Sequence, residues 1–74
     1  MIKLQVLCQK GDQQFNNETP DETATLIERI EMGEVECIDK GKYFIYDKNT
    51  RTIVGKNEIQ DGQCLVMMPI IKGG

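Results

Sequence analysis

An α+β fold, a mixed sheet of four to five strands with one main helix across one face, is predicted by three features of this sequence. The first residues alternate apolar and polar as a half-buried strand does. Residues 19–33 carry a full set of helix start and stop signals, and the remainder falls into short β-rich runs.

The opening "MIKLQVLC" puts Ile2, Leu4, Val6 and Cys8 on one face and Lys3 and Gln5 on the other, the period of a strand. "QKGD" (residues 9–12) supplies a turn whose glycine tolerates positive φ, and "QQFNNE" returns as a more polar strand centred on Phe15. In "TPDETATLIERIEMGE", Thr19 is the N-cap, Pro20 suits the first helical position and Glu22 completes a T-x-x-E capping box. Thr23 is a rival N-cap, one turn later. Ala24, Leu26, Ile27 and Ile30 form the apolar stripe, and Gly33 ends the helix in a left-handed conformation.

Beyond the helix, "VECI" (residues 35–38) reads as a strand or a packed loop. "KYFIYD" (residues 42–47) is a clearer strand, rich in aromatic and β-branched residues. "KNTR" turns the chain into "TIV" (residues 52–54). "GKNEIQDGQ" is a polar connection anchored by Ile59, with Asp61-Gly62 as a turn. "CLVMMPII" (residues 64–71) is an apolar strand, with Pro69 near its end where a missing N–H is tolerated. If this last strand lies beside the first, the long connection makes the two parallel, and the arrangement is a β-grasp.

At 74 residues the chain forms one small domain, with about 60% of its unfolded surface buried and no room for a deep substrate cavity. Its composition, 39% hydrophobic and 28% charged, is that of a folded domain. The net charge of −3 and the scattered lysines argue against a nucleic-acid binder; an acidic surface suits a basic protein partner, although most mildly acidic small proteins are merely soluble. Cys8, Cys37 and Cys64 show no C-x-x-C spacing and the chain has no histidine, so no metal or catalytic site is expected. They read as small buried hydrophobes in a reducing compartment. No secretory signal layout or membrane-length apolar run is present, and the expected location is cytoplasmic, with no membrane partner.

The chemistry is concentrated at the end of the sequence. Residues 1–69 read as the domain and residues 70–74, Ile70-Ile71-Lys72-Gly73-Gly74, as a flexible tail reaching up to about 17 Å when extended. Gly73 and Gly74 have no side chains to block a close approach, so the Gly74 carboxylate can enter a narrow channel in another protein. Ile70 and Ile71 would grip that channel's apolar walls, or else fold back over the domain. On the last strand, alternation turns Leu65 and Met67 toward the helix and Val66 and Met68 outward. With Ile45 these form an apolar partner-binding patch, unless the strand is covered on both faces.

The stretch "DGQCLVMMPIIKGG" resembles the end of the β-grasp sulfur carriers, the small subunit of molybdopterin synthase and the thiamine sulfur carrier. Asp61 and Gly62 match that family's D-G pair, Pro69 its first proline, and Gly73 and Gly74 its terminus. Met67 and Met68 stand where aromatics are usual, and Ile70 where a second proline is. The stretch is also similar to the end of ubiquitin, through Glu58-Ile59-Gln60 and the final glycines, with Lys72 in place of two arginines. Upstream, the resemblance is one of element order and length.

The resemblance implies a protein that is acted upon, not an enzyme, and that binds no cofactor itself. A partner activating enzyme would use ATP to adenylate the Gly74 carboxylate. In a sulfur carrier a persulfide then displaces the adenylate, and the thiocarboxylate gives its sulfur to a sulfur-accepting enzyme's small-molecule or nucleoside substrate. In a ubiquitin-like modifier the acyl group passes through a thioester to lysines of target proteins. A third reading is a β-grasp interaction module whose tail is never activated.

Overall fold

The computed structural model describes residues 1–8 and 11–70 of the chain. Five strands, β1 (Ile2–Val6), β2 (Gln13–Asn17), β3 (Tyr43–Asp47), β4 (Thr52–Ile53) and β5 (Cys64–Pro69), form one sheet in the order β2-β1-β5-β3-β4. β1 and β5 are parallel at its centre, and the other neighbouring strands pair antiparallel. One helix, α1 (Pro20–Glu31), packs across one face, so the domain is an α+β fold of β-grasp type.

Capping residues set both ends of the helix. The Thr19 hydroxyl accepts from the Glu22 N–H at 3.1 Å, satisfying one of the donors that a helix start leaves free. The Glu22 carboxylate reaches back to the Glu18 N–H at 3.2 Å, one residue earlier than a standard capping box. Thr23 is therefore not the cap. It is fully buried, and its hydroxyl donates to the Thr19 carbonyl. At the other end Gly33 has φ of 80°, its N–H bonds to the Ile30 carbonyl and the Glu34 N–H to the Arg29 carbonyl. These two bonds are a Schellman motif.

Ile27 and Ile30 of α1 are fully buried against Ile2, Leu4 and Val6 of β1 and Leu65 and Met67 of β5. Each such side chain contributes roughly 1.5–3 kcal/mol of transfer free energy. Tyr43 and Ile45 extend this core along β3, and Ile38, Val54 and Ile59 close it from the loops.

Of the two readings of "VECI" the packed loop holds, because Cys37 turns at φ of 69° and breaks any extended run while Ile38 buries its side chain. Two expected strands are shorter than read. β4 stops at Ile53, but the Val54 N–H continues to bond to the Ile45 carbonyl. β5 ends at Pro69, whose ring has no N–H to continue a ladder. Of the expected hairpin turn, Gln9 and Lys10 lie outside the described residues. Gly11 has φ of 119°, and its N–H bonds to the Cys8 carbonyl.

Two polar features hold the connections. Asp47 is 5% exposed; its carboxylate accepts from the Asn49 N–H at 2.8 Å and from the Gln63 side chain at 3.2 Å. It thereby ties the turn after β3 to the approach to β5. The Met1 ammonium lies 2.7 Å from the Asp61 carboxylate, clasping the start of β1 to the turn before β5. This hydrogen bond, with the ammonium charge, holds the Asp61 carboxyl below its ordinary value.

Gly33→Ala should cost about 1–2 kcal/mol, since its Cβ would occupy a left-handed backbone 3.0 Å from the Lys40 Cβ; denaturant unfolding reads the loss. Asp61→Asn should lower stability at neutral pH. A depressed carboxyl stabilises the fold above its unfolded value and loses that effect as pH falls through the folded one, so urea midpoints of variant and parent should converge in acid.

Candidate functional site at the end of β5

β5 lies at the centre of the sheet, and its end is where the described chain leaves it. Pro69 stands opposite Tyr43 in register, and the Ile70 N–H donates to the Lys42 carbonyl at 3.0 Å. Ile70, expected in the tail, therefore keeps a backbone bond to the domain while its side chain is 39% exposed. Ile71, Lys72, Gly73 and Gly74, the rest of the expected tail, lie outside the described residues.

Beside this exit is a cavity of about 140 Å³, bordered by Cys8, Asp39, Lys40, Tyr43, Pro69 and Ile70 among others. It forms because β1 and β5 are parallel, so their ends lie together. The Leu7 N–H continues the ladder to the Met67 carbonyl at 3.0 Å. The Tyr43 hydroxyl donates to the Asp39 carbonyl at 2.5 Å. Burial, aided by the neighbouring Cys8 and Asp39, raises the Tyr43 phenol above the ordinary tyrosine value.

The sheet face opposite the helix carries a second feature, an apolar groove of about 230 Å³ lined by Phe44, Tyr46, Arg51, Ile53 and Met68. It follows from register. Phe44 pairs with Met68, and Tyr46 pairs with both Val66 and Ile53, so these side chains share the outer face. Phe44 is 44% and Ile53 71% exposed, unusually open for residues so large. Val66 and Met68 lie on this face as the alternation implies, but Val66 is buried and only Met68 is partly open.

The expected place of Ile45 is corrected. Ile45 pairs with Met67, points to the helix side and is buried in the core, so it cannot belong to an exposed patch. Sequence reasoning missed Phe44, Tyr46 and Ile53. "YFIYD" is apolar at both phases of its alternation, and nothing within the strand tells which phase faces the helix.

The cysteines also differ from expectation. Cys37 is exposed, and Cys8 and Cys64 are half-buried. Another hollow, about 430 Å³ between the end of β2 and α1, is lined by Asn17, Asp21, Glu22, Thr25, Leu26 and Arg29. Asp21 and Glu22 are first-turn acids that complement the helix dipole, and no cysteine or histidine accompanies them. Among the described residues no group of three or more His, Cys, Asp or Glu side chains is placed to hold a metal ion. No helix among them is long and apolar enough to cross a membrane.

Comparison with protein-family models, with curated proteins and with solved structures finds no match to this chain.

Spectrophotometric titration of Tyr46→Phe leaves Tyr43 as the only tyrosine. Its midpoint should lie above 10.0 in the folded protein and return to that value in denaturant.

Proposed function

We propose that this protein is a β-grasp sulfur carrier whose Gly74 carboxylate is the working group. The observation that carries the reading is the pairing of tail and scaffold. A central strand ends in proline at the rim of a β-grasp sheet, and four residues closing on Gly73-Gly74 follow Ile70 in the sequence. A rigid strand fixes where such a tail begins, while the glycine pair leaves its end slender enough for another protein's active site.

In this reading the chain is a substrate, not an enzyme, and binds no cofactor of its own. A partner activating enzyme uses ATP to join AMP to the Gly74 carboxylate, releasing pyrophosphate and making the carbonyl a good acyl donor to a nucleophile. A persulfide sulfur then displaces AMP. Reductive cleavage of the S–S bond, by a thiol, leaves the terminal thiocarboxylate. A sulfur-accepting enzyme takes that sulfur for cofactor or thionucleoside synthesis, in the cytoplasm. Ile70 and Ile71 grip the apolar walls of the partner's channel, and Lys72 contacts the partner beside them.

The outer groove gives these partners a docking surface. Phe44, Ile53 and Met68 offer apolar anchors, and the charged residue lining the groove is Arg51, whereas the carboxylates of α1 belong to the opposite side. An apolar surface with an acidic rim is complementary to it.

The deciding experiment is the intact mass of the protein isolated from its own cells. A fraction heavier by one oxygen-to-sulfur exchange, abolished by deleting Gly74, is expected. A free form of unaltered mass with a ladder of larger lysine-linked adducts would replace this reading with that of a protein modifier. Unaltered protein alone under every growth condition would leave an interaction module. Deleting Gly73 and Gly74 should leave the thermal midpoint unchanged; a large drop would make the tail structural.

A further inference from the structure

Cys8 and Cys37 meet across 29 positions of sequence, the Cys8 sulfur lying 3.1 Å from the Cys37 carbonyl oxygen. Covalent geometry then keeps the two Cα atoms within about 8 Å of each other, close to the 4.4–6.8 Å span of a disulfide. Cys37 is exposed and sits in the left-handed region at φ of 69°, an uncommon place for a residue with a Cβ. Its loop, between Gly33 and Lys42, contains no strand or helix and is held by few backbone bonds, among them Gly41 to Glu31 and a long 3.4 Å contact from Ile38 to Val35. Such a loop can yield the remaining ångström or two. Cys8 follows β1 and borders the cavity beside Pro69 and Ile70.

Cys64 is placed differently. It opens β5 opposite Lys3, at the other end of the sheet from Cys8, about five residues of strand or roughly 16 Å away. A bond between Cys64 and Cys8 would require the sheet to come apart.

We infer that Cys8 and Cys37 form a reversible intramolecular disulfide, a modification site that fastens the loop to the strand end beside the tail's root. The exposed Cys37 thiolate attacks a low-molecular-weight disulfide, forming a mixed disulfide and releasing one thiol. The Cys8 thiolate then attacks the Cys37 sulfur, closing the protein bond and releasing the second thiol. Two protein thiols lose two electrons and two protons, and the reagent is reduced to two thiols. This inference stands apart from the functional reading above, since it needs neither an activated tail nor a partner enzyme.

The test uses the full chain and its Cys8→Ser, Cys37→Ser and Cys64→Ser variants, equilibrated with graded mixtures of oxidised and reduced glutathione. Intact mass and non-reducing peptide mapping follow acid quenching. The parent and Cys64→Ser should accumulate a monomer lighter by two hydrogen atoms, with the Cys8 and Cys37 peptides joined, and revert when reduced glutathione is restored. Cys8→Ser and Cys37→Ser should yield only glutathione adducts. Adducts alone in the parent, covalent dimers alone, or an internal bond involving Cys64 would overturn the inference.

Discussion

The parallel pairing of β1 with β5 organises the rest of this molecule. It joins the first strand to the last, so every other element lies within the connection between them. A parallel pair cannot be joined by a tight turn, so the chain must cross over the sheet, and α1 is part of that crossing. The register puts Leu4 beside Leu65 and Val6 beside Met67, and all four side chains are completely buried. The helix needs that apolar floor to stay formed, since a twelve-residue helix is marginal alone in water. The same pairing brings Leu7 and Cys8 alongside Pro69 and Ile70, so the cavity at the tail's root is a consequence of strand direction.

Among the described residues one α-helix covers one face of the sheet. The helix side takes Ile2, Leu4, Val6, Ile45, Leu65 and Met67, and β5 and β3 are apolar on the other side as well. Val66 is hidden there between its paired neighbours Gln5 and Tyr46, while Phe44, Ile53 and Met68 remain open toward the edge. A domain this small has too few elements to cover both faces, so apolar surface is left where β3 and β4 meet β5. The N-terminal half of the same face shows Lys3, Gln5, Gln14 and Asn16 instead, and is wet.

The connections after the helix depend on individual polar groups more than on apolar pattern. Asp47, almost fully buried, organises the turn after β3 and reaches Gln63. Lys56 bonds to Glu31 at 2.9 Å, fixing the short 3₁₀ turn at Lys56–Glu58 to the end of α1. The Met1–Asp61 pair does the same for the turn before β5. A buried carboxylate must find donors, whereas an exposed ion pair contributes little by itself, so Asp47 matters most of the three.

Most of the fold was legible because its signals are local. The helix start is written in Thr19, Pro20 and Glu22 and its end in Gly33, all within a turn of the backbone groups they satisfy. The alternation of Ile2, Leu4 and Val6 fixes their common face, and the run from Cys64 to Pro69 announces a central strand. Also plain in the sequence is the Asp61-Gly62, Pro69 and Gly73-Gly74 pattern on which the functional proposal rests. The tertiary structure alone decided which phase of β3 faces the helix, that residues 35–38 turn instead of extending, and that Cys8 meets Cys37. Each depends on register or on contacts between residues far apart in sequence, and "YFIYD" reads equally well on either face until β5 is set beside it.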